Sequence, residues 1–337
     1  MGLQIGDIVS RKEIQLNELK GKVLAVDAFN AIYQFLSSIR QPDGTPLMDD
    51  KKRITSHLSG LFYRNMALLS EGIKLIYVFD GEYHVLKGRT HEIRQEAKDI
   101  AKEKYEEAVE EGDIDAMAKY SRGFVRLTKE MIEESKELLI AMGIGVVQAP
   151  GEGEMQAAEL VKSGQAYAVA SQDYDALAVG SPRLIQNVTL AKTRKTPTGF
   201  VYIAPEMLEY ERVLNFLGID GDQLISLAIL VGTDFNPGGV KGIGPKKALT
   251  LVRERKYPVE IFRGLEEQGR LDFNWQEVFQ IFKKPNVRRE NVEFPKFNPL
   301  KIKEILVNEH NFSSERVEKQ LEKMEEVRKK SAQKTLF

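Results

Sequence analysis

The chain has 337 residues, of which 42% are hydrophobic and 29% charged, with a formal net charge of −1. This is enough to bury a sizeable core, in one large domain with insertions or in two domains. The absence of cysteine excludes disulfides, zinc–thiolate sites and thiol chemistry. Apolar runs are shorter than the roughly 18 residues of a membrane span, and the start lacks the features of a signal peptide. We therefore expect a soluble protein that stays inside the cell and has no membrane partner.

Continuous apolar runs predict buried parallel strands along the first half of the chain. They are VLAVDAF (23–29), KLIYVFD (74–80), IGVVQAP (144–150) and AYAVASQD (166–173). Helical patterns at 57–72 and 128–143 alternate with these runs. This alternation predicts the α/β class, with a central, mostly parallel sheet and helices on both faces.

Three other stretches do not follow this alternation. Residues 82–127 are charged and helix-forming, which is typical of a solvated helical hairpin or of an arch over a site. From about residue 200 onward the pattern becomes helical, with loops rich in glycine and proline. Near the end, RVEKQLEKMEEVRKK predicts an exposed helix with Val317, Leu321, Met324 and Val327 along one stripe.

Carboxylates follow the predicted strands at the ends where open α/β sheets bind ligands. They are Asp27, Asp80, Glu152, Glu154, Asp173 and Asp175, with Asp234 in a loop after an apolar helix. Like charges about 4 Å apart repel by roughly 4 kcal/mol at an effective dielectric of about 20, so a shared site needs protons or cations. A lone acid at a strand end usually caps a turn, but several converging ends favour a metal site. All-oxygen ligands select Mg²⁺ or Mn²⁺ over zinc, and two such ions support phosphodiester hydrolysis.

The segment GVKGIGPKKA predicts a contact to phosphate. Gly242 and Gly244 let backbone N–H groups approach an anion at the start of a helix, where Lys246 and Lys247 add positive charge. Lys241 adds another cation that a purely structural turn does not require. A glycine-rich turn alone is weak evidence, but with these lysines it indicates a nucleic-acid grip that reads phosphates rather than bases.

Further basic residues and one aromatic residue are candidates for the same substrate. Lys87 and Arg94 follow Asp80 at the base of the charged insertion, where they are placed to offset the charge of a scissile phosphate. Arg40, Arg64 and Tyr33 are less specific. Arginines of this kind are usually solvated surface cations, and the tyrosine either stacks a base or packs in the core.

Taken together, these stretches closely resemble the structure-specific flap endonucleases of the archaeal and eukaryotic type, within the XPG-like 5′ nuclease superfamily. The resemblance covers nearly all of residues 1–260. The segments that carry it are VDAFNAIYQFL, YVFDG with the following Lys87 and Arg94, GEGEMQAAEL, SQDYDAL, VGTDF and GVKGIGPKKAL.

The resemblance implies specific roles for the candidate residues. The seven carboxylates hold two divalent ions, normally Mg²⁺ with Mn²⁺ as a substitute, and Glu154 also counts among the catalytic residues. Lys87 and Arg94 act on the scissile phosphate, and Tyr33 stacks the adjacent base. The residues expected to contact DNA elsewhere are Gly2 (after removal of Met1), Arg40, Arg64, Lys241, Gly242, Gly244, Lys246 and Lys247. Backbone carbonyls of the hairpin often bind K⁺, although Pro237-Gly238-Gly239 stands here where other members often carry a hydroxyl side chain.

The same resemblance implies a domain organisation. Residues 1–330 form a single 5′-nuclease domain, and residues 331–337 form a partial tail for a sliding clamp such as PCNA. The regions of the domain are an N-terminal nuclease region (about 1–100), a helical arch (about 82–130), an internal nuclease region (about 140–235), a helix-hairpin DNA-binding motif (about 236–260) and a C-terminal helical region. Gln333 and Leu336 fit the first half of the clamp motif Gln-x-x-aliphatic-x-x-Phe-Phe, and with Phe337 they are the residues expected to bind the clamp. The alternative for this tail is a frayed terminus.

The expected activity is cleavage of branched DNA near the base of a 5′ flap, with 5′–3′ exonuclease activity, in Okazaki-fragment maturation and base-excision repair. We expect a monomer in the cytoplasm, associated with the nucleoid. The alternatives are a sister 5′ exonuclease or a bubble or Holliday-junction nuclease, a non-catalytic DNA-binding or clamp-associated scaffold that has kept the fold, and a ribonuclease toxin of the smaller acidic-site fold. The helical insertion favours threading of a free 5′ end, the complete acid set argues against a scaffold, and such a toxin lacks the arch and the hairpin.

Overall fold

A computed structural model of the protein describes residues 3–41, 43–188, 193–196 and 199–334. Its strands are β1 (Lys12–Glu13), β2 (Val23–Asp27), β3 (Lys74–Phe79), β4 (Gly145–Gln148), β5 (Ala168–Ala170), β6 (Arg183–Gln186), β7 (Thr193–Thr196), β8 (Gly199–Tyr202) and β9 (Glu206–Glu209). Within the described residues, one sheet has the order β1-β9-β6-β5-β2-β3-β4, and β7 pairs only with β8. Strands β2 to β6 pair in parallel, whereas β1 and β9 pair antiparallel at one edge.

The predicted parallel strands are confirmed as β2, β3, β4 and β5, each a few residues shorter than its apolar run. Strands β6 and β9 were not predicted, and the expectation of a helical chain from about residue 200 is wrong over β8 and β9. The sequence EMLE of β9 carries little apolar periodicity, and its strand forms by antiparallel pairing with β6. Such pairing depends on neighbours rather than on local propensity.

Helices cover both faces of the sheet, and further helices follow the last strand in the chain. They are α1 (Ala28–Ser38), α2 (Ser56–Ser70), α3 (Gly88–Glu111), α4 (Ile114–Tyr120), α5 (Lys129–Ala141), α6 (Gly153–Lys162), α7 (Asp175–Ala178), α8 (Tyr210–Leu217), α9 (Gly221–Val231), α10 (Pro245–Glu254), α11 (Pro258–Glu267), α12 (Trp275–Lys283), α13 (Pro299–Lys303) and α14 (Ser314–Lys334). A π-helical turn, Glu304–Glu309, continues α13. No single described helix is long and apolar enough to cross a membrane, and the pair α8–α9, which passes that test jointly, is bent by 78°.

Two apolar cores lie on opposite faces of the sheet. Alternate residues of β2 and β3 point to each: Leu24 and Tyr77 pack with α1, α2 and α5, whereas Ala25 and Ile76 pack with α6 and α9. Since both faces of these strands are covered, both sets of side chains must be apolar. This explains the continuous apolar runs and confirms the predicted α/β class with helices on both faces.

Helices α3 and α4 form the charged helical hairpin that the sequence predicted over 82–127. They meet at Gly112, whose φ of 70° ends α3 in the left-handed conformation. At its far end the hairpin is tied to the loop after α1, because the buried Ser121 hydroxyl donates a 2.8 Å hydrogen bond to the carbonyl of Gly44. This hairpin of α3 and α4, called the arch below, thus connects β3 to α5 in the chain and is tied to another segment where α4 ends.

Helix α14 is present as predicted, and most of its described side chains are exposed, but its apolar stripe is buried. Its stripe residues Val317, Leu321 and Met324 are buried against α2, where Met324 Sδ lies 3.9 Å from the Ser70 hydroxyl. The amphipathic pattern explains this arrangement, because the apolar side of the helix packs on the core while its polar side faces solvent.

Candidate active site

Acidic side chains meet at the carboxyl edge of the parallel sheet. Asp27 ends β2, and Asp80 directly follows β3, its hydrogen-bonded neighbour. Glu154 in the first turn of α6 and the pair Asp173 and Asp175 after β5 complete the group. Carboxylate oxygens of Glu154, Asp173 and Asp175 lie within 4.8 Å of one another. The structure therefore brings together acids that the sequence spreads over about 150 positions.

The stretch GEGE begins α6 because its glycine fits where no other residue does. The N–H of Gly153 donates a 2.6 Å hydrogen bond to Asp80 Oδ1, and a Cβ on Gly153 would lie 2.6 Å from that same oxygen. Glu152 and Glu154 flank this contact at the helix N-terminus, where the helix dipole favours negative charge. The motif thus places the carboxylates of Glu152 and Glu154 at the site and fixes that of Asp80.

Other hydrogen bonds orient the remaining acids. Asp27 caps α1 by accepting from the N–H of Asn30 at 3.1 Å. The Ser171 hydroxyl donates to Glu154 Oε1 at 2.6 Å and accepts from the N–H of Asp173 at 3.1 Å. Sequence reasoning missed Ser171, although its place two residues before Asp173 was a usable signal.

The electrostatics of the cluster show an unneutralised excess of negative charge. Burial and the neighbouring Asp80 raise the pKa of Asp27 to about 7, and burial and Glu152 raise the pKa of Asp80 to about 6. Burial and the adjacent acids raise the pKa values of Glu154 and Asp175 well above the usual range, and burial raises that of Asp173.

Divalent cations suit this donor set. Carboxylate oxygens are the ligands that hard cations prefer, and a cation removes the mutual repulsion that raises these pKa values. The described residues near the cluster supply only oxygen ligands for an ion, since the nitrogens that reach it belong to Lys87 and Arg94. The residues therefore fit a divalent metal.

Two cations from the foot of the arch reach into the cluster. The Lys87 ammonium pairs with Glu152 and lies 3.7 Å from Asp234 Oδ2. Arg94 Nη2 donates to both carboxylate oxygens of Asp234 at 2.8 Å. Burial would raise the pKa of Asp234, but Arg94 and Lys87 outweigh it and lower that pKa. Lys87 and Arg94 are thus as close to the acids as the sequence led us to expect.

The other candidate contacts lie around this centre. Tyr33 is 38% exposed on α1, with the Lys98 ammonium 5.4 Å from its ring centroid. Arg64 stacks its guanidinium over Phe35 at 5.0 Å. Arg40 is partly buried and donates to the carbonyls of Leu36 and Gly44, so backbone already engages its guanidinium.

The turn of the predicted helix-hairpin DNA-binding motif lies between α9 and α10. Gly242 has a φ of 80°, and Gly244 precedes α10, which begins with Pro245. Lys241, Lys246 and Lys247 are exposed close to the helix start, where an anion is favoured. The Lys247 ammonium donates a 3.3 Å hydrogen bond to the carbonyl of Gly242 in the same turn. Gly2, Leu336 and Phe337 lie outside the described residues, as does the side chain of Gln333.

Comparison with known proteins agrees with this geometry. The family model of the XPG N-terminal domain matches residues 3–101, and that of the XPG I-region matches residues 143–234. Flap endonuclease 1 of Pyrococcus furiosus is 49% identical over 100% of this chain and 98% of its own length. The corresponding protein of Hyperthermus butylicus is 48% identical over 97% and 95%.

Solved structures agree as well. The flap endonuclease-1 structure from Methanococcus jannaschii superposes with a TM-score of 0.76 at 41% identity, covering 97% of this chain and 98% of that one. The catalytic core of Rad2, in complex with DNA substrate, has the same fold with a TM-score of 0.71 at 23% identity, covering 96% of this chain and 100% of that one. Identity near one half over the full length, together with both XPG regions, decides the assignment. This chain belongs to the flap endonuclease 1 family of XPG nucleases.

Proposed function

We propose that this protein hydrolyses a phosphodiester near the base of a 5′ flap in branched DNA, with two Mg²⁺ ions held by its carboxylate cluster and Mn²⁺ as a substitute. Membership of the family makes it a structure-specific flap endonuclease that serves DNA replication and repair. The single observation that carries the metal assignment is the approach of the Glu154, Asp173 and Asp175 oxygens to within 4.8 Å of one another. Their repulsion is relieved when divalent cations bind.

The residues of the chain divide the work of the reaction. The carboxylates that would hold two divalent ions are Asp27, Asp80, Glu152, Glu154, Asp173, Asp175 and Asp234. The ions would supply a nucleophilic water and stabilise the leaving oxygen. Lys87 and Arg94 direct N–H donors to the scissile phosphate as its charge grows. Tyr33 presents an exposed ring for stacking on the adjacent base.

The remaining contacts select branched DNA. Lys241, Lys246 and Lys247 hold the phosphates of the downstream duplex at the hairpin, where backbone carbonyls also bind K⁺. Arg40 and Arg64 contact the branch-point DNA, and Gly2 contacts DNA near the active site. The single-stranded 5′ end of the flap threads through the arch of α3 and α4. The enzyme is a monomer that removes flaps from Okazaki fragments and repair intermediates, and it degrades 5′ ends as an exonuclease.

Two further assignments rest on the sequence motifs. Residues 1–330 form the nuclease domain, and the tail 331–337 binds a sliding clamp of the PCNA type through Gln333, Leu336 and Phe337. The enzyme works in the cytoplasm at the nucleoid, where its substrate lies.

The decisive experiment uses a labelled double-flap DNA and a matched 5′-overhang duplex, each with Mg²⁺ or EDTA. We expect one discrete flap product that requires Mg²⁺ and is lost in Asp173→Asn, with DNA affinity retained. Asp50→Asn is the matched control, because this exposed carboxylate lies outside the cluster. It should cut like the wild type.

Other outcomes select the alternatives. Stepwise loss of single nucleotides without a discrete product indicates a 5′ exonuclease, and tight binding without cleavage indicates a scaffold. Normal cutting by Asp173→Asn would overturn the metal assignment. A bulky group on the 5′ end should slow cleavage if the flap is threaded through the arch.

A further inference from the structure

The foot of the arch carries a buried hydroxyl group that is bonded to the backbone of a carboxylate residue in the active site. Thr90 lies in the first turn of α3 and is only 4% exposed. Its Oγ1 donates a 2.7 Å hydrogen bond to the main-chain carbonyl of Asp234. A buried threonine stands out on α3, where most side chains are charged and exposed.

Helix α3 holds Asp234 by its backbone and by its side chain together. Arg94, one turn after Thr90, donates to both carboxylate oxygens at 2.8 Å. Residues four apart share one face of a helix, so the two bonds come from the same side of α3. The carbonyl bond restrains the peptide, and the guanidinium restrains the carboxylate. Removing the first leaves the carboxylate attached to a less restrained backbone.

The turn that contains Asp234 is also held by α9, by α12 and by the segment just before α3. The hydroxyl of Thr233 donates to Asn236 Oδ1 at 2.7 Å, and Asn236 Nδ2 donates to the carbonyl of Ile229 in α9 at 2.8 Å. Phe235 packs edge-on against the rings of His84 and Phe282, with centroid distances of 5.7 and 5.6 Å. The turn that contains Asp234 therefore joins the arch on one side to α9 on the other.

We propose that Thr90 is a positioning residue for the nuclease site: its hydroxyl fixes the Asp234 turn against the arch, so that the Asp234 carboxylate is set for metal ions. The inference rests on the proposed function of this site. Thr90 acts through Asp234, because its buried hydroxyl is bonded to the main chain of that residue. A purely structural threonine would anchor α3 without changing the properties of the metal site, and this difference can be measured.

The test compares Thr90→Val, which keeps the shape but removes the donor, with Thr90→Ser, which keeps the donor. Ser163→Ala is the control. It deletes a 2.9 Å hydrogen bond from a hydroxyl to a main-chain carbonyl at the C-terminal end of α6, the end that lies opposite to Glu154. We measure the cleavage rate at saturating flap DNA, the KM for DNA, and the affinity for Mn²⁺ by calorimetry in the absence of DNA.

For Thr90→Val we expect the saturating rate and the Mn²⁺ affinity to fall about 10-fold, as is typical when a group that orients a metal ligand is removed. KM for DNA should stay within about 2-fold of the wild type, and Thr90→Ser should restore both quantities. Hydrogen exchange of residues 88–95 in metal-free protein should quicken in Thr90→Val and remain unchanged in Ser163→Ala.

Wild-type Mn²⁺ affinity in Thr90→Val would overturn the inference. So would a raised KM with an unchanged saturating rate, because that pattern describes an arch anchor alone. Failure of Thr90→Ser to restore the rate would also contradict it. If the wild type itself does not cut flaps, the proposed function fails, whereas the calorimetric comparison still decides the role of Thr90.

Discussion

Individual residues of this site are held by bonds that leave little freedom. Asp80 accepts from the Gly153 N–H, Glu154 accepts from Ser171, and Asp234 accepts from Arg94. A rigid set of acids in a partly buried edge binds cations with little further reorganisation, which is the preorganisation that catalysis needs. We therefore expect the geometry to be sensitive to the addition of a single methyl group.

Gly153→Ala tests that sensitivity. The new Cβ would lie 2.6 Å from Asp80 Oδ1 and 3.1 Å from the carbonyl of Val78, so the Asp80 carboxylate must move. We expect the cleavage rate at saturating DNA to fall roughly 10- to 100-fold, with DNA affinity unchanged. Rates and binding curves in Mg²⁺ check this.

Gly88→Ala is the matched control for that substitution. Gly88 also begins a helix, but a Cβ there meets nothing within 4 Å. Its activity should stay near that of the wild type. Equal losses in both variants would mean that helix-start glycines matter for folding rather than for the position of Asp80.

At the scale of secondary-structure elements, the arch depends on its ends. Helix α3 buries Thr90 and Ala108, so it gains little from a core of its own. One end is fixed by the hydrogen bond from Thr90 to Asp234. The other end is fixed by the hydrogen bond from Ser121 to Gly44. The arch can therefore be loosened at either end without disturbing the sheet.

Gly44→Ala should loosen the far end. Gly44 has a φ of 83°, and a Cβ there would lie 2.3 Å from Ala118 Cα in α4. The left-handed backbone alone costs about 1–2 kcal/mol, and the clash displaces α4 as well. We expect faster proteolysis within the arch and slower cutting of flaps with free 5′ ends, measured by limited digestion and by cleavage rates.

Gly21→Ala separates the two causes, because Gly21 has a φ of 76° and open space around it. Gly21→Ala should lower the free energy of unfolding only by the cost of placing alanine in the left-handed backbone conformation. The rate of proteolysis within the arch should not change. If Gly21→Ala also sensitised the arch, general destabilisation would explain the result.

For the whole molecule, the acidic cluster links stability to pH and to metal ions. Folding raises the pKa of Asp27 to about 7 and that of Asp80 to about 6, from 3.8. Between about pH 4 and 7 the folded state thus binds more protons than the unfolded state, and the free energy of unfolding contributed by these groups falls as pH rises. Divalent cations bind the ionised carboxylates and reverse that loss.

We therefore predict that Mg²⁺ raises Tm more at about pH 8 than at about pH 5, by at least roughly 3 °C. In EDTA, Asp27→Asn should raise Tm at the higher pH, because it removes a buried charge from the cluster. Thermal denaturation in EDTA and in Mg²⁺ measures both effects. An equal shift by Mg²⁺ at the two pH values would contradict the linkage.

Much of this protein follows from local sequence. The continuous apolar runs of β2 to β5 specify a sheet that is buried on both faces, because each run must meet two cores. The motifs around Asp27, Asp80, Glu154 and Asp173 specify one edge of that sheet, since parallel strands end on the same side. These features need only periodicity and spacing, and both are present in the amino-acid string.

Tertiary structure alone decided the rest. The strand pairing of β9 with β6, the packing of the apolar stripe of α14 on α2, and the bond from Thr90 to Asp234 join segments that are distant in sequence, and no local pattern identifies these partners. The pairing of Lys87 with Glu152 and of Arg94 with Asp234 likewise depends on where the arch stands above the sheet. A sequence specifies which groups can bond, but packing in three dimensions selects the partners, because each such bond forms only where burial has already brought its two groups together.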